Sequence, residues 1–98
     1  MLTIPSLKLT VNFIKDRKQV IAYSPALDIS TVGRTEEHAR KRFEELVHIF
    51  MKDITERNVA TQVLTELGWT KSSPTRTRKS QWTPPQVRSV NLKVPLFA

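Results

Sequence analysis

The chain has 98 residues, of which 39% are hydrophobic and 26% are charged, and it carries a formal charge of +7 and no cysteine. This length suits one small domain, and the lack of cysteine excludes disulfides, thiolate nucleophiles and sulfur-ligated zinc. We expect a cytoplasmic protein without a membrane anchor, because no stretch reaches the roughly 18 apolar residues of a membrane span and no secretory signal is visible.

The positive charge is concentrated in the last third of the chain. Residues 1–68 contain ten basic and nine acidic residues, whereas residues 69–98 contain six basic residues and no acidic one. The cations of this last third are Lys71, Arg76, Arg78, Lys79, Arg88 and Lys93. The charge pattern therefore separates a nearly neutral part from a basic C-terminal part.

Three short antiparallel strands are predicted before the first glycine. Apolar and polar residues alternate in the first of them, which is typical of a strand with one covered face. A charged turn at 15–18 joins the first two strands as a hairpin. Pro25 ends the second strand because proline cannot donate a hydrogen bond to a neighbouring strand. The predicted strands are residues 6–14, 19–23 and 27–32.

One amphipathic helix from Glu36 to about Arg57 dominates the predicted fold. Gly33 ends the segment before it, and the hydroxyl of Thr35 is placed to cap its first turn. The apolar residues of the helix form one stripe about 100° wide, which predicts a buried face against the sheet. With one residue of the first strand, the predicted core comprises Phe13, Phe43, Leu46, Val47, Phe50 and Ile54.

Residues 61–68 predict a short second helix closed by Gly68, after which Trp69 packs back on the body. Residues 70–86 are rich in proline, serine, threonine and cations and predict a loop. Residues 87–98 alternate again and predict a last strand, which returns to the sheet or pairs with a dimer partner, with Pro95 at an edge. The predicted fold is α+β: an antiparallel sheet of three to four strands, in the order β-β-β-α-short α-β, covered on one face by the long helix.

Five segments of the chain together form a combined motif. They are Tyr-Ser-Pro-Ala-Leu-Asp-Ile at 23–29, Thr-Val-Gly-Arg-Thr at 31–35, Glu-His-Ala at 37–39, Phe-Glu-Glu at 43–45 and Leu-Thr-Glu-Leu-Gly-Trp at 64–69. In this combination they resemble the HicB-like antitoxin family. The resemblance implies a partial ribonuclease-H-like domain over residues 1–69 that forms dimers or tetramers. It also implies that the protein masks the active surface of a HicA-like, mRNA-cleaving toxin. At the position of His38 the family commonly has the glutamate of a capping box, which predicts that the reciprocal cap is missing here.

The residues themselves favour a binding protein over an enzyme. A ribonuclease-H-like nuclease needs converging carboxylates that begin in its first strand, and residues 7–14 contain none. His38 and His48 fall on exposed parts of the long helix and are interpreted as surface residues rather than metal ligands. The sequence therefore predicts neither a catalytic residue nor a cofactor.

A small nucleic-acid-binding protein is the alternative. Trp69 and Trp82 flank a cluster of cations, a composition that binds single-stranded nucleic acid by stacking and phosphate contacts. The residues proposed for this role are Lys71, Arg76, Arg78, Lys79 and Trp82. In the competing interpretation both indoles pack on the domain and the basic loop is solvated, with only weak, non-specific binding to nucleic acid.

Overall fold

The computed structural model describes residues 8–97 and shows an α+β fold. Three antiparallel strands, in the order β1-β2-β3, form the main sheet, and a long helix that follows them packs on one face of it. These elements are β1 (Asn12–Asp16), β2 (Gln19–Ser24), β3 (Ile29–Gly33) and α1 (Glu36–Glu56). A short helix, α2 (Ala60–Glu66), and a separate two-stranded ribbon, β4 (Thr70–Lys71) with β5 (Trp82–Thr83), complete the chain. The predicted fold class is confirmed, with three strands in the main sheet.

The register of the sheet determines which side chains face α1. Phe13, Ala22 and Thr31 lie directly opposite one another across the three strands, and Ile14, Ile21 and Val32 form the neighbouring row. Because paired residues share a face and successive residues alternate, the first row points to α1 and the second to the other side. The sheet is therefore covered on the side of Ala22 and open on the side of Ile21.

The observed strands differ from the predicted ones at their ends. The first strand was predicted to begin at residue 6 but begins at Asn12. Residues 6 and 7 of the predicted strand lie outside the described part of the chain. The third begins at Ile29 because Asp28 has a φ of 53°, which places residues 27 and 28 in the turn before it. Alternation marks the residues that fit a strand, whereas the partner strand decides how many of them pair.

The start of α1 is built as the sequence predicts around Thr35. Its side chain accepts a hydrogen bond from the His38 amide at 3.1 Å, and two glutamates occupy the first turn, where the helix dipole favours negative charge. Gly33 permits β3 to approach α1 closely, since a Cβ atom there would lie 2.7 Å from the Cα atom of Ala39. The long helix is thus held directly against the end of β3.

The hydrogen bonds of the described structure include no reciprocal cap to the Thr35 amide, but His38 caps the amide next to it. The Nδ1 atom of His38 accepts a hydrogen bond from the backbone N–H of Arg34 at 3.1 Å. The imidazole therefore does what a capping-box glutamate does, but for the amide one residue before the N-cap. An unprotonated imidazole nitrogen can accept a hydrogen bond as a glutamate oxygen does, so histidine can take over this role at N3.

Two clusters of buried side chains form the core. One comprises Ala22, Ala39 and Phe43, and the other comprises Ala26, Leu27, Ile54, Leu64 and Trp69. Three further residues predicted for the core are partly buried against these clusters, namely Phe13, Val47 and Phe50. Trp69 does pack back on the body, where its indole Nε1–H donates to the carbonyl oxygen of Ala26 at 2.8 Å.

Leu46 does not belong to the core, contrary to the prediction. Its side chain is 36% exposed and takes part in neither cluster, whereas Met51, on the other flank of the stripe, packs against the cluster of Trp69. Residues of α2 pack against the same cluster. The sequence shows the width of an apolar stripe, but the neighbouring elements decide which of its margins is covered.

The C-terminal third also differs from the prediction. Residues 70–86 include the ribbon of β4 and β5. Hydrogen bonds between Ser72 and Gln81 extend this ribbon. Residues 87–97 form no strand in the described structure, and the four alternating apolar side chains are at least 62% exposed. These residues are Val90, Leu92, Val94 and Leu96. The predicted return to the chain's own sheet is therefore wrong, and pairing with a second copy stays a prediction.

Candidate binding surfaces

The residues predicted to bind nucleic acid are brought together only in part. Lys71 and Trp82 lie opposite each other in the ribbon, with the Nζ atom of Lys71 5.7 Å from the centroid of the indole ring. Arg76, Arg78 and Lys79 are exposed in the loop between β4 and β5, where the amide of Thr75 bonds to the carbonyl of Arg78 at 2.8 Å. The cluster is thus one cation–π pair next to three dispersed cations.

Neither tryptophan offers an open stacking platform. Trp69 is 2% exposed. Trp82 is partly buried against the cluster that contains Trp69, and Lys71 lies over its ring. Base stacking needs an accessible aromatic face, so both indoles are better explained as packing residues.

The open face of the sheet is apolar along its middle. Ile14, Ile21 and Val32 form one row across the three strands, and Ile14 and Val32 are 50% and 39% exposed. Exposed apolar side chains that are contiguous across a sheet are typical of a surface that meets another protein. This row is the apolar surface that the main sheet leaves uncovered.

A tyrosine and an aspartate lie beside this row. The hydroxyl of Tyr23 donates to Oδ1 of Asp28 at 3.3 Å. Desolvation raises the pKa of Tyr23 above its usual value, and the negative charge of Asp28 and its hydrogen bond act in the same direction. Tyr23 therefore serves here as a neutral hydrogen-bond donor at the edge of the apolar row.

A basic depression of about 1030 Å³ lies at one end of the domain. Its walls come from the β1–β2 turn, the end of β3 and the first turns of α1. Four cationic side chains line it, together with His38, Val32 and a single carboxylate, that of Asp16. The four cations are Arg17, Lys18, Arg34 and Arg42. With His38 neutral, the lining has an excess of three positive charges.

This depression is not visible when charge is counted along the chain. Residues 1–68 are nearly neutral in total, yet the fold collects four of their ten cations at one place. One signal was visible: Arg34, His38 and Arg42 are spaced four residues apart at the start of the helix, which places them on one side of it. The contribution of the hairpin turn requires the tertiary structure.

The described residues contain no group of three or more His, Cys, Asp or Glu side chains that could hold a metal ion. Within residues 8–97, no helix is both long enough and apolar enough to cross a membrane. Both histidines are exposed on α1, and His38 has the capping role described above. The surfaces with a distinctive character are therefore the apolar sheet face and the basic depression.

Neither surface can be interpreted through a relative. No protein-family model matches this chain, and neither a curated protein nor a solved structure matches it.

Proposed function

We propose that this protein is a non-enzymatic, HicB-like antitoxin-type binding protein that works as a homodimer and neutralises a HicA-like, mRNA-cleaving toxin. The observation that carries the proposal is the open face of the sheet with its row of Ile14, Ile21 and Val32. The order of three strands and a long helix supports it, because this is the architecture that the resemblance to the family implies.

Charge also supports a basic protein partner at this face. By register, Asn12, Ile14 and Asp16 point to the open side from β1, while Lys15 points to the helix side. Asp28 lies next to the row through its bond to Tyr23. The face thus combines an apolar centre with the carboxylates of Asp16 and Asp28, which complement the charge of a basic toxin. Asp16 also lines the basic depression, whereas Asp28 does not.

The test is co-expression with a small basic protein encoded next to this chain. We expect a stable complex and restored growth when that neighbour is toxic. Replacing Ile14 by Lys should weaken the complex at least about tenfold, since an exposed apolar side chain of the proposed interface is replaced by a charge. Asn12→Lys adds the same charge to the same face of β1, but outside the apolar row, and should weaken binding less than about threefold.

Two outcomes would contradict the proposal. One is a neighbouring toxin that binds the wild type and Ile14→Lys equally well. The other is growth restored without any complex between the purified proteins. Both variants should unfold at the urea concentration of the wild type, because both positions are exposed.

A further inference from the structure

We propose that the basic depression between the β1–β2 turn, the end of β3 and the start of α1 binds the phosphodiester backbone of a nucleic acid. This site adjoins the apolar face assigned to the protein partner, with which it shares Val32 and Asp16. Its four cations lie outside the apolar row, and the inference does not depend on that function. It also differs from the C-terminal loop, where the sequence placed nucleic-acid binding.

Four cations converge on the depression from three different elements. Arg17 and Lys18 form the two-residue turn of the hairpin, Arg34 follows β3, and Arg42 lies on the second turn of α1. Each of these elements belongs to the packed body, so the backbone positions of the four side chains are ordered before any ligand arrives. An ordered arrangement loses less conformational entropy on binding than cations on a loop.

These cations are free to meet an anion. Across the described residues, the one ion pair between side chains joins Arg57 to Asp53, at the far end of α1. Asp16 is the single carboxylate that lines the depression. Four cations that line one depression without an ion-pair partner raise the local positive potential and attract a polyanion.

His38 adds a neutral donor to the same wall. Because its Nδ1 atom accepts from the N–H of Arg34, the neutral imidazole carries its proton on Nε2. His38 lines the depression, so its Nε2–H can donate to a phosphate oxygen without a change in charge. The hydrogen bond to Arg34 also fixes the backbone of that residue against the helix. His38 is therefore both a cap and a positioning residue.

The composition of the depression favours phosphodiesters over an acidic peptide. Protein interfaces concentrate their binding energy in apolar and aromatic anchors, and here Val32 is the one sizeable apolar side chain in the lining. Contacts to a nucleic-acid backbone need cations and hydrogen-bond donors instead. Three of the four cations are arginines, whose planar guanidinium groups make bidentate hydrogen bonds with phosphate oxygens. With no Phe, Tyr or Trp ring in the lining, we expect binding that is independent of base sequence.

The experiment compares two triple variants that remove the same charges from different places. The first replaces Lys18, Arg34 and Arg42 by Gln in the depression. The control replaces Lys79, Arg76 and Arg78 by Gln in the exposed loop, so each variant loses two arginines and one lysine. Binding is measured by fluorescence anisotropy with a labelled single-stranded RNA and a labelled duplex DNA of about 20 units each, longer than the roughly 4–16 nucleotides that a small domain covers.

We expect the depression variant to bind both probes at least about tenfold more weakly than the wild type at about 0.05 M salt. The slope of log affinity against log salt concentration should be smaller in magnitude by about two to three, because three phosphate contacts are lost. The affinity of the loop variant for the two probes should fall by less than about threefold. Equal losses in the two variants would show that total charge matters rather than the depression. No binding by the wild type at that salt would also overturn the proposal.

Two further measurements keep the result interpretable. Urea unfolding of both triple variants checks the fold, and Arg42→Glu against Arg76→Glu repeats the comparison with single substitutions if a triple variant is unstable. A fluorescent poly-glutamate peptide serves as the acidic-peptide probe. If it binds the wild type as tightly as the RNA does, the depression accepts any polyanion and the assignment to phosphodiesters is wrong.

Discussion

Residues 12–69 contain the two clusters of buried apolar side chains, whereas the apolar side chains of residues 87–97 are exposed to solvent. The body of the protein, residues 12–69, contains every strand of the main sheet and both helices. The tail, residues 87–97, has the same alternation of apolar and polar residues as a strand but has no neighbour to pair with. The difference shows that a strand depends on an available edge as much as on its own sequence.

The shape of the molecule reflects this difference. Its principal extents are 59 × 30 × 24 Å, and its radius of gyration is 16.8 Å. A compact domain of about 100 residues has a radius of gyration near 13 Å. The excess length is consistent with a tail that does not fold onto the body, so substitutions in the two regions should differ in their effect on stability.

The largest effect is expected where the ribbon is joined to the body. Trp69→Ala should lower the free energy of unfolding by about 3–5 kcal/mol, because it empties a buried site and removes the donor to the Ala26 carbonyl. Trp82→Ala should cost about 1–2 kcal/mol, since its ring is only partly buried. Urea denaturation measures both. Similar midpoints for the two variants would mean that the ribbon is as important to the body as Trp69 is.

Two residues of the apolar stripe on α1, one buried and one exposed, test how far the core extends. Phe43→Ala should cost about 3–5 kcal/mol because its side chain is 3% exposed, whereas Leu46→Ala should cost less than about 1 kcal/mol. Thermal and urea unfolding give these values. A large loss for Leu46→Ala, appearing only at high protein concentration, would show that a second copy covers this flank of α1.

The contact between β3 and α1 is expected to give an intermediate effect. Gly33→Ala introduces a Cβ atom 2.7 Å from the Cα atom of Ala39, so the helix must move away at a cost of about 1–3 kcal/mol. Ser30→Ala in the same strand is exposed and should change stability by less than about 0.5 kcal/mol. The comparison is made by urea unfolding. An unchanged midpoint for Gly33→Ala would indicate that the start of α1 is loosely held.

The smallest effect on stability is expected in the tail. Deleting residues 87–98 should change the unfolding free energy of the monomeric body by less than about 0.5 kcal/mol, because the described tail residues are exposed. If the tail pairs with a second copy, the same deletion should convert the dimer into a monomer or an aggregate, as light scattering would show. A truncated chain that keeps the parent oligomeric state would contradict this role.

Proline substitutions sharpen the test of the tail. Pro95 has no N–H, so the strand edge to which residue 95 turns its backbone nitrogen cannot be the pairing edge. Because backbone amides alternate between the two edges of a strand, the amide of Lys93 points to the same unpaired edge. Lys93→Pro should therefore leave a tail-mediated dimer intact, whereas Val94→Pro removes an amide on the pairing side and should dissociate it. Equal behaviour of the two variants would argue against strand pairing by the tail.

The sequence predicted the fold class, the long helix and the Thr35 cap because all three depend on local signals. It placed Leu46 in the core because a stripe seen along one helix contains no information on which margin its neighbours cover. It placed a strand at residues 87–97 because alternation does not reveal whether an edge is free. The basic depression was missed because Lys18 and Arg42 are 24 positions apart in the chain and meet only through the hairpin and the helix.

The hydrogen bond from Trp69 to Ala26 has a consequence for the order of folding. The strands β1, β2 and β3 pair with their neighbours in the chain, and α1 follows at once, so these contacts span short sequence separations and form quickly. Trp69 must return across 43 residues to reach Ala26. On the ribosome, the sheet and α1 are therefore synthesised before the residue that closes the second cluster. Nascent chains that stop before Trp69 should consequently be more sensitive to protease than chains only a few residues longer.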